Sequence, residues 1–417
     1  MSVGLTISLG IFGLIAAREW LPAWLKIWHI MLAGAIAMLI SGQIGPRAAL
    51  AAIDWNIIAY LFAVFSIGTA LHLNGVSHRI AGRLAGFRSA RASLAAFVVC
   101  FAVLAAVLTN DAAAVIGAPI ALALAAHAGV RAKTFLIALC VTVTIGSLAT
   151  PIGNPQNLLI AASGQIPAPL LTFMAWLIVP TTVSLAMAIW WLSRSLDPGD
   201  ARVAEVREGG GGGADRLWPS LLAMGLLVVL VAADSLVSSL GRGRGIPLGI
   251  AACVACVPVY LFGPRRQETF LNVDWRTLIF FVAMFVVTGA LIESGSMQHL
   301  LGEVRGRMTE PLVTAGVSFF GSQIFSNVPL VDMYLKLLHS YSTDNLVMLA
   351  AVSTLAGNVF IISAASNVIV LQQAEALGGP SISFTEFTRA VLPVGVFSIL
   401  ITIAWVLVFP WLLAVFR

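Results

Sequence analysis

The sequence predicts an all-α polytopic membrane protein of about ten transmembrane helices plus two re-entrant hairpins, laid out as two inverted-topology repeats. Three observations carry this expectation. Of the 417 residues, 59% are hydrophobic and only 10% charged, with a mean hydropathy of +0.99. A soluble domain carries about 25% charged residues, so an ordinary water-facing surface is excluded. Apolar stretches near the roughly 20 residues needed to cross a bilayer recur from end to end. Finally, residues 54–75, DWNIIAYLFAVFSIGTALHLNG, align without gaps to 274–295, DWRTLIFFVAMFVVTGALIESG, with Asp, Trp, Ala, Phe, Ala, Leu and Gly at the same places.

In chain order the apolar stretches occupy 3–17, 27–44, 55–73, 93–126, 134–162, 172–192, 217–233, 246–262, 277–293, 311–338, 346–374 and 390–414. The first lacks a basic flank, so no cleaved signal is expected and Val3–Ala17 reads as a short span. Stretches 93–126 and 311–338 are too long for one span. Polar residues interrupt each, at Thr109-Asn110-Asp111 and at Ser326-Asn327-Val328. Their limbs, about 11 to 16 residues by apolar content, fall short of a span and so predict hairpins that enter and leave on one side.

With both hairpins in place, one set of loops holds Arg18, Lys26, Arg79, Arg83, Arg88, Arg91, Arg131, Lys133, Arg194, Arg202, Arg207, Arg216, Arg265, Arg266, Arg276 and Arg389. The other set holds Arg47, Arg242, Arg244, Arg305, Arg307, Lys336 and Arg417. The richer side is expected to face the cytoplasm of a cell whose inner membrane holds the chain, with both termini outside. The net charge of +5 therefore marks loops, and no nucleic-acid partner is predicted. Asp54 then lies outside and Asp274 inside, which makes the two copies inverted. The charged stretch 193–216, with Gly209–Gly213, reads as a flexible cytoplasmic linker between a first repeat, 1–192, and a second, 217–417.

Backbone leaves helical geometry at membrane depth only where protein or a polar cavity surrounds it. Four such places are predicted: LTNDAAAVIGAP (108–119), GSLATPIGNPQNLLIA (146–161), FSNVP (325–329) and IISAASNVIV (361–370). In the second, Pro151, Gly153 and Pro155 interrupt any helix. Free N–H groups at such breaks suit an anion or polar oxygen, and unwound carbonyls with Asn or Ser oxygens suit a small cation. The candidate binding residues are Thr109, Asn110, Asp111, Gly153, Asn154, Asn157, Ser326, Asn327, Ser363, Ser366 and Asn367. A sodium ion is expected near Asn110, Asn157, Asn327 and Asn367. Ser147 and Thr150 are weaker candidates, since Ser and Thr in membrane helices commonly bond their own backbone. The four asparagines could equally tie the broken backbone through amide hydrogen bonds.

Asp111 is the candidate coupling carboxylate, because an acid at membrane depth is costly and mostly functional. It could pass a proton or hold sodium, or simply cap the hairpin's second limb. Asp332 and Lys336, four apart, are expected to pair with each other. Asp54 and Asp274, each followed by Trp, read as helix starts with interfacial anchors. Cys253 and Cys256 form a C-x-x-C inside an apolar helix without His or acidic neighbours, and read as buried packing residues. With no Walker motif, H-E-x-x-H or G-x-S-x-G, the chain is not predicted to be an enzyme and no cofactor is expected beyond a coupling proton or sodium.

These four motifs, in this order and across essentially the whole chain, resemble the ion-transporter superfamily that contains the arsenical-pump membrane subunit, NhaD-type sodium/proton antiporters, and the divalent-anion/sodium symporters with their citrate-transporter-like domains. The resemblance implies a homodimer in which a scaffold carries a moving transport domain by an elevator motion. The symporter branch has Ser-Asn-Thr at both tips, and this sequence has Thr109-Asn110-Asp111 and Ser326-Asn327-Val328 instead. The run NDAAAVIGAP resembles the arsenical-pump and NhaD-like branch more closely. The implied function is secondary transport of a small anion or oxyanion-type solute, with arsenite efflux by proton antiport leading and a separate ATPase subunit a conceivable partner. A sodium/proton antiporter and a sodium-coupled di- or tricarboxylate symporter are the alternatives.

Overall fold

The computed structural model describes residues 3–16, 21–22, 24–196, 217–239, 246–295, 305–325, 327–337, 341–360 and 364–415. Among them every regular element is a helix. The first half runs α1 (Val3–Ala16), α2 (Ile27–Ile40), α3 (Pro46–Ala52), α4 (Trp55–Leu73), α5 (Val76–Ala85), α6 (Ala90–Val107), α7 (Asn110–Ala128), α8 (Ala132–Gly146), α9 (Pro155–Ala162) and α10 (Pro169–Leu192). The second runs α11 (Trp218–Ser239), α12 (Leu248–Phe262), α13 (Arg266–Leu271), α14 (Trp275–Glu293), α15 (Pro311–Phe325), α16 (Asn327–Leu337), α17 (Thr343–Ala356), α18 (Ala365–Ala376) and α19 (Phe384–Val415). Of the predicted linker, 197–216 lies outside the described residues.

Among the described residues, eight helices are long and apolar enough to cross a membrane, and Val3–Ile15, Ile27–Ile40, Leu248–Phe262 and Thr343–Ala356 are shorter apolar helices. The chain is a multi-pass membrane protein. Its outward side chains are apolar where lipid would lie: Val99 and Val103 on α6, Leu171 and Ile178 on α10, and Val229 on α11 are all exposed. Such a surface is tolerable only against hydrocarbon. The aspartates that open α4 and α14 act as expected. Asp54 accepts from the N–H groups of Asn56 and Ile57 at 3.0 and 3.1 Å, and Asp274 accepts from Thr277 N–H at 3.1 Å. Each satisfies donors that a helix start leaves open.

Two expectations need correction. The limbs of the first hairpin are 18 and 19 residues long, not shorter than a span. Helical winding starts at Ala90, after the Ser89 cap, and continues past His127, because polar residues extend a helix that an apolar count cuts short. The limbs at 311–325 and 327–337 do stay short, at 15 and 11 residues. Cys253 is exposed on α12, while Cys256 is buried; with about 3.6 residues per turn, residues three apart lie on related but not identical faces.

Helices of one half pack on helices of the other: α2 on α14, α12 on α4, α7 on α18, α16 on α9, and α10 on α19. Loop contacts respect the two charge-defined sets. Arg265 donates to the Leu73 carbonyl at 3.0 Å, Asn74 to Ser220 at 3.4 Å, and Lys133 pairs with Glu386 at 2.8 Å. At the other end Gly4 N–H reaches Gln43 at 3.0 Å, and Gly249 N–H reaches Asn56 at 2.9 Å. This arrangement leaves α8, which is buried along nearly all its length, at the centre. Helices α6, α7, α10, α17, α18 and α19 pack on it.

Candidate functional site

The first tip is built by Thr109. Its hydroxyl accepts from Ala112 N–H at 3.1 Å and so closes the start of α7. The capping role weighed for Asp111 therefore belongs to Thr109, and the correction matters. Asp111 sits in the first turn, 4% exposed, with its Oδ1 buried and without a partner among the protein's own groups. No basic residue stands within ion-pair distance of it among the described residues. Asn110 joins the tip to two other interruptions. Its N–H donates to the Gly153 carbonyl at 2.7 Å, and its Nδ2 donates to Ser366 Oγ at 3.4 Å.

The second interruption unwinds after Gly146. A 3-10 turn covers Ser147–Ala149, and Asn154 then caps α9 by accepting from Asn157 N–H at 2.8 Å. Asn157 holds the loop with its Nδ2, which donates to the carbonyls of Ser147, Leu148 and Thr150 at 3.2, 3.4 and 3.0 Å. Its Oδ1 is left buried with no partner. Thr150 ties the loop to α6 through the Ala106 carbonyl at 2.6 Å, and Ser147 bonds the Thr144 carbonyl at 2.8 Å. Both hydroxyls donate to backbone, and the Ser147 oxygen also accepts from Asn154 Nδ2 at 3.0 Å.

Gly153 is required by proximity. A Cβ there would stand 2.3 Å from the Ser147 carbonyl oxygen and 2.7 Å from its Cα. Both are backbone atoms that cannot swing away. We predict that Gly153→Ala lowers stability by about 1–3 kcal/mol through overpacking. The unfolding midpoint in detergent reads it, and an unchanged midpoint would show that the loop has room.

At the third tip Asn327 is buried, its Oδ1 again without a partner. Its Nδ2 lies 3.3 Å from the point where a Cβ on Gly357 would sit. Gly357 opens the fourth interruption, and its carbonyl accepts from Asn367 Nδ2 at 2.8 Å. Asn367 Oδ1 is a fourth buried oxygen with no partner. Asn157 and Asn367 thus make the same bond, each reaching ten residues back along its own half. Ser326 and Ser363 lie outside the described residues.

The structure therefore brings together Thr109, Asn110, Asp111, Gly153, Asn154, Asn157, Asn327, Ser366 and Asn367 through a chain of contacts linking all four interruptions. Sequence reasoning missed Thr354 and Gln156. Thr354 Oγ1 accepts from Asn154 Nδ2 at 3.3 Å and from Gln156 Nε2 at 3.1 Å, so α17 is stitched to the second interruption. The signal available was spacing: Thr144 and Thr354 stand in the same relation as Asn157 and Asn367.

Chemically, the cluster gathers amide and carboxylate oxygens with no donor of their own. Buried acceptors normally find partners, and such a set fits a cation or the hydroxyl groups of a solute. A multi-pass protein whose interrupted helices meet at buried, uncommitted oxygens has the construction of a transporter. The comparisons with known proteins agree: residues 13–345 match the family model described as CitMHS, citrate transporter, and the chain belongs to that family. It is 28% identical over 359 residues to the uncharacterized transporter Rv2685 of Mycobacterium tuberculosis, covering 81% of this chain and 82% of the relative. It is 27% identical over 357 residues to the inner membrane protein YbiR of Escherichia coli, covering 84% and 88%. A segment of 210 residues is 33% identical to the silicon efflux transporter LSI3 of Oryza sativa subsp. japonica, covering 49% of this chain and 43% of that protein.

Proposed function

We propose that the chain is a cation-coupled secondary transporter of a small oxyanion-type solute, working in the inner membrane with Asp111 as the coupling carboxylate. One observation carries the reading: Asp111, Asn157, Asn327 and Asn367 each present a buried oxygen without a protein partner, at interruptions that touch one another. The element order α6–α10 recurs in α15–α19, which supports two repeats; the excess of Lys and Arg in one loop set supports placing that set in the cytoplasm and the repeats in inverted orientation. A homodimer moving its tips by an elevator motion is part of the same proposal.

The chemistry of the site narrows the cargo. Its described tips offer amides, hydroxyls and one acid, and no Lys or Arg. A multiply charged carboxylate would need accompanying cations here, whereas a neutral or weakly charged hydroxylated species would not. Arsenite exchanged for protons fits the second case. The family's citrate and the rice relative's silicon are the other cargoes to compare.

Purified protein in liposomes, given imposed pH and sodium gradients, tests this directly. The expected result is proton-gradient-driven movement of arsenite. Dicarboxylate or citrate uptake that depends on sodium alone would overturn that choice in favour of a symporter. Sodium/proton exchange with no other cargo would assign an antiporter.

A further inference from the structure

The two hairpins handle charge differently. In α7 the acid follows the tip asparagine directly, at Asp111, and stands unpaired. In α16 that place is taken by Val328, and the acid comes one turn later, at Asp332. Asp332 is as deeply buried, with its side chain 5% exposed, but Lys336 donates to its Oδ2 at 2.7 Å. Thr288 of α14 donates to the same oxygen at 2.5 Å. The ammonium also lies 5.7 Å from the centre of the Phe285 ring, on the same face of α14. The pair is therefore held between two helices.

The surroundings offer Asp332 little else. Helices α9, α14, α15 and α17 pack on α16. Neither α9 nor α15 contains a titratable residue, α17 has only Asp344 in its first turn, and α14 has Arg276 and Glu293 at its ends. Asp54, which caps α4, has the same sign of charge as Asp332 and cannot compensate it. Lys336 is thus the compensating charge.

We infer that Lys336 is a built-in cation that sets the coupling stoichiometry: it neutralises the second hairpin's carboxylate, so a transported proton or sodium ion is needed only at Asp111. This deepens the transporter reading above and rests on it. The physical reason is the desolvation cost of an unpaired buried charge. Without Lys336, the Asp332 carboxylate is left uncompensated, and the readiest remedy is a second bound cation.

The test measures initial transport rate in liposomes against sodium at fixed pH and against pH at fixed sodium. Wild type is expected to depend on its coupling ion to first order. Lys336→Met should move that dependence towards second order, and Asp332→Asn combined with Lys336→Met should return it to first order. A purely structural pair would lower the rate of Lys336→Met and leave the order alone, which overturns the inference. If Lys336→Met does not fold, the double variant decides, because any order other than that of wild type contradicts the inference. Wild-type protein that moves nothing under any gradient defeats the transporter reading instead, and the two failures are told apart by that control.

Discussion

Asp111→Asn is expected to abolish gradient-driven transport while leaving the fold intact. The substitution keeps the shape of the side chain and its place in the first turn of α7. Thr109, not Asp111, closes the helix start, so no cap is lost. Asp111 Oδ1 has no protein partner, so no internal hydrogen bond from that atom is lost either. What disappears is the negative charge that would hold a proton or sodium ion. A hydrogen bond or contact to a charged group contributes up to about 3 kcal/mol, which corresponds to roughly a 100-fold change in rate. The measurement is arsenite or sodium flux under an imposed gradient, with an unfolding midpoint in detergent as control. A variant that folds and still couples at the wild-type rate would end the role assigned here.

Much of this site was legible in the sequence, and the reason is physical. A helix crossing a membrane satisfies every backbone group internally, so any run such as TPIGNPQN that must break it stands out against apolar surroundings. The place where α8 ends was therefore readable from Pro151, Gly153 and Pro155, whereas the fourth interruption, expected within 361–370, opens earlier: α17 ends at Ala356 and Asn367 lies inside α18. The partner of each group was not readable. That Thr354 receives Asn154 and Gln156 from another segment depends on packing across 200 and 198 residues of chain, and a single sequence carries no record of it; the cap on α7 is local, but Thr109 and Asp111 are both capping types and the sequence did not choose between them. Limb lengths failed for a simpler reason. Arg91 and His127 are polar yet sit in helix, so hydropathy ended the first hairpin early. Asp332 was read as paired with Lys336, and that holds at 2.7 Å. The Thr288 bond that anchors the pair to α14 came only with the fold.

The asparagines were open to two readings, structural tie or cargo contact, and the geometry divides the labour within one side chain. In Asn157 the nitrogen pins three carbonyls and the oxygen is free. In Asn367 the nitrogen pins one carbonyl at 2.8 Å and the oxygen is free. Truncation should therefore cost different amounts of stability at equivalent places. Asn157→Ala removes the side-chain donor of the Leu148 carbonyl and leaves the Ser147 and Thr150 carbonyls with one long bond each, from Asn154 Nδ2 at 3.5 Å and Gly153 N–H at 3.4 Å; a buried carbonyl left without a donor costs about 1–3 kcal/mol. With one carbonyl losing its side-chain donor and two others keeping only a long bond, the loss should be about 2–4 kcal/mol. Asn367→Ala strands a single carbonyl and should cost about 1–2 kcal/mol. Both variants remove a free oxygen, so both should weaken cargo or ion binding. The comparison needs two readouts on each protein: the unfolding midpoint in detergent, and the concentration of ion or solute at half-maximal flux. Equal midpoint shifts would mean that the three carbonyls around Asn157 find other donors. A large shift with unaltered half-saturation would mean that the free oxygens face nothing that is transported. Unequal stability losses together with similar losses of binding would assign the nitrogen to the scaffold and the oxygen to the cargo.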